Sequence, residues 1–185
     1  MRASLVTVAL SAVALMMVAC GPGLNAPKLS DGSKIGIYVV QDRNLPMDAE
    51  AEKLAQRTQM SEFFETDLNS LLTKYGYEVF PIASAEEFNP APNKFLLSVR
   101  VLSYNAGSKG ARVAGALMGG FAGNAVSRAG AANLAAEFSL KGEQGKVAGT
   151  DVNISSTDYK WQNLCRQVNM AIIKGTSKSL QKLYK

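Results

Sequence analysis

Histidine occurs nowhere in the 185 residues, which removes the side chain that most often acts as a general base near neutral pH and most often ligates zinc. Cysteine is limited to Cys20 and Cys165, so no thiolate cluster can be assembled within the chain, and if Cys20 carries lipid, Cys165 has no partner for a disulfide. No serine occupies a nucleophile elbow or a Ser-x-x-Lys context suited to acyl transfer. The stretch "GALMGGF" lacks the lysine and the serine or threonine that complete a phosphate-binding Walker loop. Among the carboxylates, Glu86 and Glu87 adjoin one another but point apart on any regular backbone, and Glu62, Glu65 and Asp67 read as the solvated face of a helix. Aromatic residues are 8% of the chain, and they do not interleave with the basic residues near the carboxyl terminus as a nucleic-acid stacking platform requires. These absences predict no catalytic residue, no metal site, no cofactor and no nucleic-acid partner.

Long apolar runs are also missing, with one exception at the start. Arg2 precedes a stretch from Ala3 to Ala19 that carries no charge, the pattern of an export signal. The run stops at Cys20 and is followed by "GPGLNAPK", which breaks helices and suits a leader better than a span of about 20 apolar residues. "MVACG" (17 to 21) resembles the bacterial lipobox. That resemblance implies removal of residues 1 to 19 and a diacylglyceryl group on Cys20, and several acyl chains on one residue exceed what stable anchoring needs. Gly21, where aspartate would signal retention at the inner membrane, implies by the same rule the outer membrane, with the domain facing the periplasm. Processing leaves 19 Lys plus Arg against 15 Asp plus Glu, a net of +4. Lys160, Arg166, Lys174, Lys178, Lys182 and Lys185 could rest near anionic lipid, but their helical spacing reads first as a solvated face.

Residues 20 to 33, rich in Gly, Pro, Asn and Ser, are expected to form a lipidated flexible tether, and residues 34 to 185 a single domain. "KIGIYVVQ" (34 to 41) reads as a buried strand. From Asp48 to Tyr75 the residues Leu54, Phe64, Leu68, Leu71, Leu72 and Tyr75 share one helical stripe, with Gly76 past its end. "YEVFPIA" (77 to 83) predicts a strand and 84 to 93 an irregular proline loop. "KFLLSVRVLSYN" (94 to 105) alternates, with Phe95, Leu97, Val99, Val101 and Ser103 on one side. Residues 131 to 142 and 145 to 157 predict two strands joined at "GEQG". Trp161, Leu164, Cys165, Val168, Ile172, Leu180 and Leu183 mark a last helix, interrupted by Gly175. Cys165 on this stripe reads as a small buried hydrophobe. The order β-α-β-β-β-β-α, with a parallel crossover first and antiparallel hairpins later, predicts an α/β (α+β) two-layer sandwich. Its mixed sheet of about five strands would have both amphipathic helices on one face.

One segment has no place in that scheme. "VAGALMGGFAGNAV" (113 to 126), inside a glycine-rich insertion at 106 to 130, spaces Gly115, Gly119 and Gly123 four apart, the small-xxx-small pattern that lets backbones approach closely. As a helix it would span roughly 21 Å at 1.5 Å per residue, short of the ~30 Å hydrocarbon core. Gly115, Gly119 and Gly123 with Leu117, Met118 and Phe121 are therefore the candidate contacts to a partner or a membrane. The competing reading is a loosely packed glycine loop, because each glycine lowers helix stability by about 1 kcal/mol.

The core from 95 to 150 resembles an uncharacterised bacterial envelope lipoprotein family, a domain of unknown function with a glycine-rich segment between strands. Tyr104, Gly107, Ser108, Arg112, Gly115, Gly119, Gly123, Gly145 and Lys146 carry the resemblance. In layout the chain is more distantly similar to curli-channel and TolB amino-terminal envelope lipoproteins. The resemblance implies location and fold and supplies no activity. Together these readings lead to a lipid-anchored assembly component that binds an envelope protein or itself. The alternatives are an oligomer that inserts residues 113 to 126 into a membrane, or a periplasmic binder of a small lipid or glycan.

Overall fold

The computed structural model describes residues 24–42, 51–105, 133–155 and 160–185, with side chains at 24–42, 58–104, 134–149 and 160–185. Seven principal elements follow one another: β1 (Gly36–Asp42), α1 (Ala51–Lys74), β2 (Glu78–Pro81), β3 (Lys94–Asn105), β4 (Asn133–Gly142), β5 (Gly145–Ser155) and α2 (Trp161–Leu183). The strands form a five-stranded sheet in the order β2-β1-β3-β4-β5. β1 pairs in parallel with both β2 and β3, whereas β3, β4 and β5 pair antiparallel. This is the mixed α+β sandwich expected from the order of elements. Both helices lie on one face of the sheet and share a single core with it, which includes Ile37, Leu97, Phe138, Phe64, Leu68 and Ile172. Each such side chain taken fully out of water contributes about 1.5–3 kcal/mol.

Local chemistry sets the boundaries. α1 ends because Gly76 adopts φ 94°. Its N–H then bonds the Thr73 carbonyl at 3.0 Å while the Tyr77 N–H bonds that of Leu72 at 3.2 Å, closing the last turn as a Schellman motif. Glu143 and Gln144 join β4 to β5 between the paired residues Gly142 and Gly145, and Gly145 takes φ 107° there. The buried face of α1 holds the expected Phe64, Leu68, Leu71 and Leu72, and also Met60.

The two helices run in the same direction. Phe63 packs edge-on to Trp161 at 5.4 Å, the Asn169 amide donates to the Phe64 carbonyl at 3.0 Å and to Asp67 Oδ2 at 3.1 Å, and Tyr75 OH reaches Met170 Sδ at 3.8 Å. Contacts thus advance along both helices together, and both carboxyl-terminal ends lie at the end of the sheet where β1, β2 and β3 begin.

Several expectations are corrected. α2 is unbroken through Gly175, because that glycine lets the helix lie close on β4: a Cβ there would come within 2.5 Å of Phe138 Cζ. Leu183 does not join the buried stripe and is 54% exposed. Asp67 is not part of a solvated face, since it turns toward α2 and accepts from Asn169. The loop at 84 to 93 contains one 3₁₀ turn, Ala85–Glu87, held where Glu87 Oε1 accepts the Ala83 and Ser84 N–H groups at 3.1 and 3.0 Å. Ser103 leaves the side of Phe95 and Val101 because a bulge between Val101 and Ser103 shifts the register, one extra residue being enough to reverse the faces. Tyr104 packs against the core instead.

The expected tether is shorter than its composition suggests. Leu24, Ala26 and Leu29 pack against the core. The Ala26 N–H bonds the Tyr75 carbonyl at 2.8 Å, and the Asn25 carbonyl accepts from Ser177 Oγ at 3.0 Å and Gln181 Nε2 at 3.3 Å. Proline and glycine there serve a docked turn, in which the Asp31 carboxylate accepts the Ser33 N–H at 2.9 Å and hydroxyl at 2.7 Å.

Candidate functional site

Strand alternation sends Ile37, Val39, Phe95, Leu97 and Val99 toward the helices, so Tyr38, Val40, Asp42, Phe80, Leu96, Ser98 and Arg100 point to the opposite side. The pairings Arg100 with Glu137 and Ser98 with Ser139 extend that second face onto β4. Among the described residues no helix packs on it. It divides into an apolar part over β1 and β2 and a polar part over β3, β4 and β5.

The apolar part is aromatic. Tyr38 stacks on Phe80 with centroids 4.8 Å apart and planes 23° from parallel, and Phe88 tilts against Tyr38 at 5.3 Å. The 3₁₀ turn explains the position of Phe88, since it turns the chain back from β2 over β1. Lys94 Nζ stands 5.9 Å from the Tyr38 ring centroid, within the range of a cation–π attraction. Tyr38, Phe80 and Phe88 are partly buried, and Leu96, paired beside Tyr38, is 5% exposed.

The polar part is a shallow cleft of about 680 Å³ bounded by Asp42, Ser98, Arg100, Glu137, Ser139 and Lys146. Arg100 Nη2 and Glu137 Oε1 face each other at 2.6 Å from directly opposed positions on β3 and β4. Lys146 lies across Gly149, where a Cβ would meet its Cε at 2.6 Å. Such a face offers stacking rings, a guanidinium with its carboxylate, two hydroxyls and an ammonium. It suits recognition, and no histidine stands beside Ser98 or Ser139 to activate them.

Among the described residues no group of three or more His, Cys, Asp or Glu side chains could hold a metal ion, and no helix is long and apolar enough to cross a membrane. Cys165 is fully buried. Burial, reinforced by the Asp67 charge, pushes its thiol up to about 12, so it is neither ionised near neutral pH nor reachable.

Cys20 and the glycine-segment residues Gly115, Leu117, Met118, Gly119, Phe121 and Gly123 lie outside the described residues, as do Gly107, Ser108 and Arg112. The roots of that segment are described: Asn105 at the end of β3 pairs with Asn133 at the start of β4. The other family-like positions separate, with Tyr104 against the core, Gly145 in the hairpin and Lys146 on the cleft. The Tyr38–Phe80–Phe88 cluster and the Arg100–Glu137 pair were not singled out from sequence. The alternation of β3, which turns Arg100 outward, was the available signal.

No family model matches the chain, and no curated protein matches it. Solved structures are similar in chain course. A PelC dodecamer from Paraburkholderia phytofirmans shares 10% identity over 85% of this chain and 93% of its own, at a TM-score of 0.46. Protein XCC0632 of Xanthomonas campestris, of the DUF330 family, shares 14% over 88% and 96%, at 0.46. A Helicobacter pylori homologue of a neuraminyllactose-binding hemagglutinin shares 11% over 90% and 92%, at 0.45.

Proposed function

We propose that the chain is a lipid-anchored, non-catalytic assembly component of the bacterial cell envelope, held to the outer membrane through Cys20 and binding an envelope protein through the open face of its sheet. The observation that carries the binding role is the Tyr38–Phe80–Phe88 cluster beside the Arg100–Glu137 cleft. Aromatic rings and an arginine presented on one face are the composition of binding hot spots. The lipobox resemblance at 17 to 21 supports the anchor, and the lack of histidine supports a role without chemistry.

The glycine segment favours a second contact. Its roots, Asn105 and Asn133, lie at the end of the sheet away from Leu24, where the described chain begins. A segment leaving from that end suits a partner standing off the anchoring bilayer, and its small-xxx-small spacing equally suits pairing between copies.

Photo-crosslinking residues placed in intact cells at Val40 and Ser98 on the open face, and at Thr66 and Gln162 on the helices, test the reading. Adducts to an unrelated envelope protein from the first pair alone are expected. Equal adducts from both pairs would remove the open face from the account, and a ladder of self-adducts through residues 113 to 126 would favour the inserting oligomer.

A further inference from the structure

The end of the domain where the described chain begins carries a feature that the binding face does not use. Residues 25–29 and 32–34 and the end of α1 enclose a groove of about 510 Å³ whose wall includes Lys28, Lys34 and Lys74 and no carboxylate. All three lysines are exposed, and among the described residues none of them is in an ion pair. Asp31, the nearest acid along the chain, accepts from Ser33 and keeps its charge, so Lys28, Lys34 and Lys74 (+3) with Asp31 (−1) leave this end a net +2. Lys74 sits in the last turn of α1, and α2 brings Lys182 to the same end in its own last turn. Leu183, beside it, is the exposed large hydrophobic residue among those described.

We infer that this end is a membrane-apposed face, with Lys28, Lys34 and Lys74 seated on anionic phospholipid headgroups of the bilayer that holds Cys20. The inference rests on the proposed lipidation and adds an orientation to it. Asn25 is fastened to α2 through Ser177 and Gln181, so only Gly21 to Leu24 separate it from the acylated residue. Five residue steps at full extension reach about 18 Å at ~3.6 Å each. Asn25, on the wall of the groove, is therefore kept within about two Debye lengths of the lipid surface at ~8–10 Å each, whatever angle the short link takes. Three unpaired ammonium groups held there are complementary to phosphate, and Leu183 supplies an apolar side chain able to enter the interface. The same geometry sends Ser103 on β3, nine residues beyond Lys94, roughly 30 Å away at ~3.3 Å per residue. The open face then stands upright on the membrane, accessible from the side.

The test uses the mature protein purified from native envelopes and mixed with vesicles, with one fluorophore attached at Ser30→Cys or at Ser103→Cys; buried Cys165 does not compete for the label. The vesicles contain phosphatidylethanolamine with either phosphatidylglycerol or phosphatidylcholine, plus a headgroup-linked quencher. In phosphatidylglycerol vesicles the label at 30 should lose its emission and the label at 103 should keep it. The loss at 30 should diminish in phosphatidylcholine vesicles and in the Lys28→Glu/Lys34→Glu/Lys74→Glu variant, whose folding is checked by circular dichroism. Equal quenching at 30 and 103, or quenching at 30 that ignores both lipid charge and the lysines, would overturn the inference while leaving the anchor intact. Protein that fails to float with vesicles of either kind would instead overturn the lipidation on which it depends.

Discussion

Gly175 of α2 stands directly over the Phe138 ring of β4, so close that a Cβ at 175 would lie 2.5 Å from Phe138 Cζ. Two opposing terms decide what Gly175→Ala does. Helix propensity favours alanine by about 1 kcal/mol, whereas overpacking a well-filled core costs about 1–3 kcal/mol. The overlap should win. Urea unfolding should show Gly175→Ala destabilised by about 1 kcal/mol, and in a Phe138→Leu background the same substitution should become neutral or stabilising. Additive effects would mean the ring and the glycine do not constrain one another.

Asn169 and Arg166 both reach Asp67, with unequal consequences. The Asn169 amide is buried and donates to a carboxylate and a carbonyl, so Asn169→Ala strands buried acceptors and should cost about 2–3 kcal/mol. Arg166 Nε lies 3.8 Å from Asp67 and its side chain is 57% exposed, so Arg166→Ala should cost less than about 1 kcal/mol. Denaturant midpoints of the two variants check this, and comparable losses would show the ion pair to be as strong a link as the buried amide.

The Cys165 thiol is raised from about 9 to about 12, first by burial and then by the Asp67 charge. The unfolded chain ionises this group more readily than the folded one, so its contribution to stability is complete below pH 9 and is lost as the pH rises from about 9 toward 12. Cys165→Ala should flatten that alkaline loss. Iodoacetamide at pH 8 should leave Cys165 unmodified in the native protein and alkylate it in urea, as read by peptide mass, and rapid native alkylation would contradict the burial.

Arg100 and Glu137 are a surface pair, with side chains 56% and 36% exposed, so Arg100→Glu should lower stability by about 1 kcal/mol or less. If the open face binds a partner, the same change, like Tyr38→Glu, should abolish co-purification of that partner from solubilised envelopes while circular dichroism still shows a folded protein. Retained co-purification would move the binding surface elsewhere.

Most of the fold was legible because its signals are local. The period of α1, the alternation of β3 and the hairpin at 142 to 145 are each written within about a dozen residues. What was not legible depends on long-range geometry. Gly175 reads as an interruption until Phe138, far away in sequence, is placed beneath it. Asp67 reads as solvated until α2 supplies Asn169, and Ser103 reads as inward until the bulge shifts its strand. The docked stretch from Leu24 to Leu29 has the composition of a tether, and only the carbonyl and hydroxyl groups of Tyr75 and Ser177 reveal otherwise. The aromatic face was hidden for the same reason, since Tyr38, Phe80 and Phe88 meet only when β2 is laid beside β1.

The proposed lipid anchor at position 20 is the premise of both the proposed location and the inferred membrane-apposed groove. Intact-mass spectrometry of the protein extracted from native envelopes tests it most directly. The account predicts a chain beginning at Cys20 and carrying a diacylglyceryl group with its fatty acids. A chain that retains residues 1 to 19, or one cut nearby with no acyl mass, would contradict it.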